Sequence, residues 1–173
     1  MTVENYVIRG RVWKLGDNIT TDHIISGKHK FAFIDDVNKM LPYLFEEVIP
    51  GFINKVSPGD IIVAGSNFGI GSSREQAPRL IKLSGISAIV AKNFARIFYR
   101  NSINIGLPLI EARVIPDITD NGDIITIDLK KSMVINETKN VVEQVKPFPQ
   151  LVLNILLNGG IINLLKNKGL DAI

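Results

Sequence analysis

"VAGSNFGIGSSREQAP", residues 63–78, holds three glycines in seven residues, then two serines, an arginine and a glutamate. The apolar run before it, "GDIIVAG" (59–65), suits a short buried strand, and "EQAPRLIKLSG" (75–85) reads as a helix that stops at Gly85. "SAIVAK" (87–92) is a second buried strand, so the stretch is the hinge of a strand–helix–strand crossover. Such crossovers pair their strands in parallel. A glycine-rich loop between strand and helix brings backbone N–H groups together beside a helix N-terminus, which is the usual construction for holding an anion.

Outward from that unit the chain keeps alternating. "YVIRGRVW" (6–13) alternates as a strand, "GDNITTDHIISGKHKFAF" (16–33) reads as irregular, and "DDVNKMLPYLFEEV" (35–48) has helical spacing flawed by Pro42. "NFARIFYRNSINIG" (93–106) reads as a helix and "LPLIEA" (107–112) as a strand. "NGDIITIDL" (121–129), "SMVINE" (132–137) and "NVVEQV" (140–145) then form a β meander. The tail from Pro147 to Leu165 has helical spacing interrupted by Gly159-Gly160. The expectation is one mixed α/β domain over residues 1–173.

Composition removes several chemistries. The chain has no cysteine, so it can carry neither a disulfide, nor a thiolate nucleophile, nor a Cys-ligated iron–sulfur cluster. A net charge of +3, scattered along the chain, argues against nucleic acid and membranes as partners. No signal peptide is visible and no run nears the ~20 apolar residues that span a bilayer, so a cytoplasmic location is expected.

Two nucleotide-binding readings of the loop fail. A phosphate loop needs a lysine after its last glycine, and a dinucleotide fingerprint needs a third glycine where Arg74 stands. Ser72 and Glu75 have the spacing of a helix capping box, which is the structural alternative. It leaves Arg74 unexplained, because a cation in a first helical turn opposes the dipole by about 0.3–1 kcal/mol. An anion at the site would remove that conflict: Arg74 clamps a carboxylate, with serine hydroxyls and the N–H groups of Gly69 and Gly71 around it. Pro78 lies deep for a helix capped at Ser72 and predicts a kink or a restart.

At these residues the sequence resembles a known family. "GSNFGIGSSREQAP" is similar to the signature of the aconitase superfamily swivelling domain, "GDNITTDHIISG" (16–27) to its other substrate-facing loop, and "AKNFARIFYRNSINIGLPLIEA" (91–112) to the segment that follows. The "PFP" at 147–149 and the Gly-Gly tail also fit. Within the superfamily the resemblance is to the short small subunits of 3-isopropylmalate dehydratases. It implies an aconitase C-terminal-domain-like β/β/α fold with a single mixed sheet. It also implies a heteromeric hydro-lyase that isomerises 2- and 3-isopropylmalate in leucine biosynthesis. Its [4Fe–4S] cluster is expected on a large partner subunit, with no metal on this chain.

Carried over residue by residue, the resemblance makes Ser72 the general base, and Ser73 and Arg74 the holders of a substrate carboxylate. Asp22 and His23 fall in the second loop, where Asp22 orients His23 toward substrate or partner, or His23 merely bonds its neighbours. Arg96 and Arg100 meet acidic groups of substrate or partner, or form a solvated face. Asn67 and Phe68 are expected to shape the loop. Substrate choice is expected to lie in "SGKHKFAFIDD" (26–36), which departs from the family's usual forms. There Phe31 and Phe33 favour an alkylmalate, while Lys28 or Lys30 would face the third carboxylate of a homoaconitase substrate. A methylmalate-type dehydratase is a related alternative, and a regulatory module that binds a dicarboxylate is the rival from another class.

Overall fold

β2 (Ile61–Val63), β3 (Ala88–Ala91) and β4 (Leu109–Glu111) are short and almost wholly apolar because both faces of their sheet are covered. The computed structural model describes residues 6–33 and 36–169, without the side chains of Lys30 and Phe31. β1 (Val7–Lys14) pairs in parallel with β2, with Val12 opposite Ile61. Its other edge pairs antiparallel with β5 (Ile124–Asp128), and β6 (Met133–Asn136) and β7 (Val141–Gln144) complete the meander. The result is one seven-stranded mixed sheet in the order β4-β3-β2-β1-β5-β6-β7. β1 is its pivot, parallel on one side and antiparallel on the other.

The period-2 alternation sorts the strand residues into two cores. Ile62, Ile89, Ala91 and Leu109 face the helices, including α3 (Gln76–Leu83) and α4 (Arg96–Asn104), which supply Leu80, Ile81 and Phe98. Ile61, Val63, Val90 and Ile110 face the other way and meet Ile125, Ile127 and Val134 of the meander. The sheet therefore curls as a half-barrel over its own second core.

The tail folds as α6 (Gln150–Leu157) and α7 (Ile161–Lys168), with the glycine pair at their corner. A Cβ on Gly106, where α4 has just ended, would lie 2.3 Å from the carbonyl carbon of Gly159. The corner is thus pressed backbone to backbone against the end of α4. Lys82 ties it down from α3, donating to the carbonyls of Ile105 and Gly159, and the burial this needs lowers its pKa. Among the described residues no helix is long and apolar enough to cross a membrane.

Two local expectations are corrected. Residues 16–33 are not irregular: they hold α1 (Thr21–Ile24) and α2 (Gly27–Ala32), each too short to show a periodic apolar stripe. The segment expected to be helical over 35–48 is a 3₁₀ turn at Val37–Tyr43 with Pro42 inside it, and left-handed Phe45 ends it. Ile34 and Asp35 lie outside the described residues. A further short helix, α5 (Ile115–Ile118), begins around Pro116, where the sequence shows only a proline.

β1 is fixed to the turn before β2 by one buried carboxylate. Asp60, 5% exposed, accepts hydrogen bonds from Arg11 (2.9 Å), Trp13 Nε1 (2.7 Å) and the Ser57 N–H (3.0 Å). Burial pushes the Asp60 carboxyl up, but these donors outweigh it and hold the pKa below the usual carboxylate range. A depressed folded pKa gives stability that is present above the unfolded value and lost as pH falls through the folded one. Asp60→Asn should therefore cost about 1–3 kcal/mol at neutral pH. The gap from wild type should narrow in acid, below about pH 4, when both are unfolded with denaturant.

Candidate active site

The loops that leave β1, β2 and β3 meet at the C-terminal edge of the parallel strands, where open parallel sheets bind their ligands. The glycine-rich loop is the middle one, and backbone hydrogen bonds hold it from both sides. Toward the first loop, Gly65 N–H donates to Gly16 O, Asn18 N–H to Ser66 O (2.7 Å), Gly69 N–H to Ile19 O (2.7 Å) and Thr21 N–H to Ile70 O (2.8 Å). Toward the third, Phe68 N–H donates to Asn93 O and Ala95 N–H to Phe68 O (2.9 Å). Asn67, left-handed at φ 61°, donates from its side-chain amide to Asn18 Oδ1 (2.9 Å) and from its backbone N–H to Asn93 Oδ1 (2.7 Å). Phe68 is fully buried and packs edge-on against Phe94 and Phe98. Both residues shape the loop, as expected.

Gly69 decides how close the loop comes to α4. Its φ is 81°, and a Cβ there would lie 2.3 Å from Cγ of Phe98. Beyond it Ser72 and Ser73 stand exposed, and the hydroxyl of buried Thr21 donates to the Ser72 carbonyl at 3.1 Å. The Ser72 backbone is thereby fixed while its side chain faces outward.

The capping box expected at Ser72 and Glu75 is not formed. α3 starts only at Gln76, with Glu75 at the cap position and no side-chain cap bond. Arg74 precedes the helix, so the expected conflict with its dipole does not arise. Pro78 sits in the first turn, where a missing N–H and a fixed φ cost nothing, and the helix is not broken there. The capping box of this region is at Thr20 and His23 instead. The Thr20 hydroxyl accepts from the His23 N–H, and His23 Nδ1 accepts from the Thr20 N–H, both at 3.1 Å. His23 thus bonds its neighbours, and Asp22 does not orient it.

Asp22 pairs with Arg74, Oδ1 to Nη2, at 2.6 Å. The Arg74 side chain is 10% exposed and also donates from Nη1 to the Ile25 carbonyl at 2.5 Å. Its Nε is buried with no partner among the described residues. A cleft of about 290 Å³ opens beside it. One wall is Thr21, Gly69, Gly71, Ser72, Ser73 and Arg74; the other is the start of α4, with Ala95, Arg96, Ile97, Phe98 and Asn101. Ala95 caps α4 without a side-chain bond, so the open N–H groups of that helix lie at the cleft wall. Sequence reasoning placed the useful helix terminus at residues 72–75. The signal for the terminus at α4 was Ala95, rather than Ser, Thr, Asp or Asn, at the position directly before Arg96.

Other expected site residues stand elsewhere. Arg100 is absent from the cleft, whereas Arg96 lines it. Lys28 is exposed on α2, and Phe33 at its end stacks on Tyr43 at 5.8 Å and packs on the helix-side core. Neither lines the cleft. The side chains of Lys30 and Phe31 lie outside the described set. Among the described residues no group of three or more His, Asp or Glu could hold a metal ion.

The Aconitase C-terminal domain family matches residues 49–113, which span the glycine loop and the start of α4. The chain is 47% identical over 160 residues to the 3-isopropylmalate dehydratase small subunit 2 of Archaeoglobus fulgidus, covering 92% of this chain and 95% of that one. It is 49% identical to the small subunit 1 of Thermotoga maritima, covering 94% and 97%. The chain belongs to the 3-isopropylmalate dehydratase small-subunit family. It is also 48% identical to the methanogen homoaconitase small subunit of Methanothermobacter thermautotrophicus, covering 91% and 89%. The crystal structure of a 3-isopropylmalate dehydratase from Methanocaldococcus jannaschii superposes with a TM-score of 0.86 at 43% identity, covering 95% and 96% of the two chains. The expected α/β swivelling-domain fold of this dehydratase family is thereby borne out.

Gly69→Ala tests the close approach that shapes the cleft. The added methyl meets Phe98 and a left-handed backbone, so overpacking and strain together should cost about 2–4 kcal/mol. Gly16→Ala, whose Cβ meets nothing within 4 Å, is the matched control and should lie within about 1 kcal/mol of wild type. Denaturant midpoints of the two variants measure the difference.

Proposed function

We propose that this chain is the small subunit of a heteromeric hydro-lyase that interconverts 2-isopropylmalate and 3-isopropylmalate by dehydration and rehydration, the isomerisation of leucine biosynthesis. One observation carries the reading. Two exposed serine hydroxyls, a buried guanidinium with an open Nε and an uncapped helix N-terminus share a cleft sized for a small dicarboxylate.

Each part has a role. A buried donor without a partner costs about 1–3 kcal/mol, and a substrate carboxylate is the group that satisfies Arg74 Nε. Asp22 holds the guanidinium in place meanwhile. Ser73 and the N–H groups of the glycine loop complete the carboxylate's partners. Ser72 takes the proton from carbon. A serine hydroxyl is scarcely ionised near neutrality, so the alkoxide must be favoured by its surroundings. The positive end of α4 and the Arg74 charge supply that once water is excluded.

In keeping with the family it resembles, this chain, which has no thiolate, leaves the [4Fe–4S] cluster to the large subunit, where it would supply the Lewis acid for the departing hydroxyl. The same large subunit is the partner that closes over the cleft. The assembly works in the cytoplasm.

The cleft also speaks to the substrate. Ala95, Ile97 and Phe98 make the α4 wall largely apolar, which suits an isopropyl group better than a third carboxylate. The segment 26–36, with Phe31 and Phe33, remains the proposed specificity loop. A homoaconitase small subunit is the second reading, favoured by the 48% identity to one such subunit and by Lys28 on α2. A dicarboxylate-binding regulatory module would bind the same ligands without turnover.

The purified chain alone should be folded and inactive, and anaerobic reconstitution with the large subunit should restore turnover on isopropylmalate. Turnover without the partner would contradict the two-subunit reading. In the heteromer, Ser72→Ala should lower kcat on the order of 10²–10⁴-fold with little change in KM. Its melting temperature should hold, since the exposed hydroxyl caps no helix. Arg74→Lys should raise KM as well, because the planar fork is lost. A Ser72→Ala variant with near-normal kcat would remove Ser72 from the chemistry.

A further inference from the structure

The α4 wall of the cleft continues into a second and larger groove. It encloses about 470 Å³ between α4, β4 and the segment Lys146–Pro149, and Arg96 lines both cavities. Its apolar surface comes from Phe94, Tyr99, Ile110 and Phe148. Its charged residues are Arg96, Arg100 and Lys146 against the single acid Glu111, and all four are exposed.

Arg96, Arg100 and Lys146 stand out because they line one groove together; other cations, such as Lys28, Arg79, Arg113 and Lys130, also lack an ion pair among the described residues. Arg9 pairs with Glu137, Arg11 with Asp60 and Arg74 with Asp22. Arg96, Arg100 and Lys146 have no ion pair and no side-chain hydrogen bond among the described residues. Beside Arg96, Ile97 on the serine-cleft side is 53% exposed. The groove therefore joins an apolar floor to an uncompensated positive rim.

We propose that this groove and the Arg96–Arg100 ridge of α4 form the docking surface for the large subunit, which presents an acidic segment with an apolar anchor. The inference rests on the small-subunit reading above. Continuity is the first argument. The serine cleft is open to solvent, and a partner that closes it across Arg96 and Ile97 comes directly onto the groove. Charge is the second, since three unpaired cations favour an acidic partner and repel a basic one. Rigidity is the third. Pro147 and Pro149 restrict the far wall, and β4 is the terminal strand of the sheet, so the groove is formed before the partner arrives.

The test titrates purified large subunit, held anaerobic, against the wild-type chain and against an Arg100→Glu/Lys146→Glu variant. Neither residue lines the serine cleft. The double charge reversal should weaken Kd on the order of 10–100-fold, with a loss of the salt dependence seen for wild type. Turnover at saturating large subunit should stay near the wild-type value. Arg100→Gln, a milder change, should weaken Kd by several-fold and serves if the double variant does not fold. Ser72→Ala assayed beside them should assemble normally and fail to turn over, which separates docking from catalysis. Kd within about 2-fold of wild type in both charge variants overturns the proposal and leaves the catalytic reading standing. So does a concentration-dependent self-association of the isolated chain that the charge variants abolish without changing large-subunit binding, because a second copy would then own the groove.

Discussion

The arrangement depends on a loop clamped between two others. Residues 65–71 lie between the loops that leave β1 and β3, bonded to Gly16, Ser66's partner Asn18, Ile19 and Thr21 on one side and to Asn93 and Ala95 on the other. Backbone bonded along both edges cannot drift, and at Gly69 the approach of Phe98 leaves no space for a side chain. The clamp sets where Ser72 emerges, and Thr21 finishes the job by holding the Ser72 carbonyl. A reactive hydroxyl on an ordinary surface loop would lose that placement to thermal motion, and misplacement by about 1 Å is enough to cost 10²-fold in rate.

Charge in the site is balanced within the chain. Arg74 is nearly buried, and burying an unpaired guanidinium would be costly. Asp22 neutralises it from α1, and two backbone carbonyls and the ion pair occupy its terminal nitrogens. Among the described residues only Nε, itself buried, has no partner. The guanidinium is thus oriented before any ligand arrives, with one donor in reserve. The rim cations Arg96, Arg100 and Lys146 show the opposite state, exposed and without an ion pair among the described residues. One charge is neutralised inside the chain, and the others are exposed on its surface.

Much of this was legible in the residues. The apolar runs at 59–65 and 87–92 and the meander after 121 register correctly because buried strands announce themselves by β-branched content over a few residues. The serines, the glycines and Arg74 stood out because no fold needs them together. The failures have physical causes. α1, α2 and α5 are too short for periodicity to detect, and capping at Thr20 by a histidine side chain is not a common sequence signature. The Asp22–Arg74 pair joins residues far apart in sequence, which only the parallel pairing of β1 and β2 brings together. The stacking of Phe33 on Tyr43 was not legible either, because Tyr43 comes from a segment whose 3₁₀ course the proline disguised.

The central claim is that the clamped loop presents Ser72 and Arg74 to one substrate molecule at once. A crystal structure of the reconstituted heteromer with bound substrate tests it most directly. The account predicts Ser72 Oγ within about 3.5 Å of the carbon that loses its proton. In the same structure one substrate carboxylate should accept a hydrogen bond from Arg74 Nε, with the 65–71 backbone unchanged. A substrate bound with Ser72 turned to solvent and Arg74 Nε still unpartnered would contradict it.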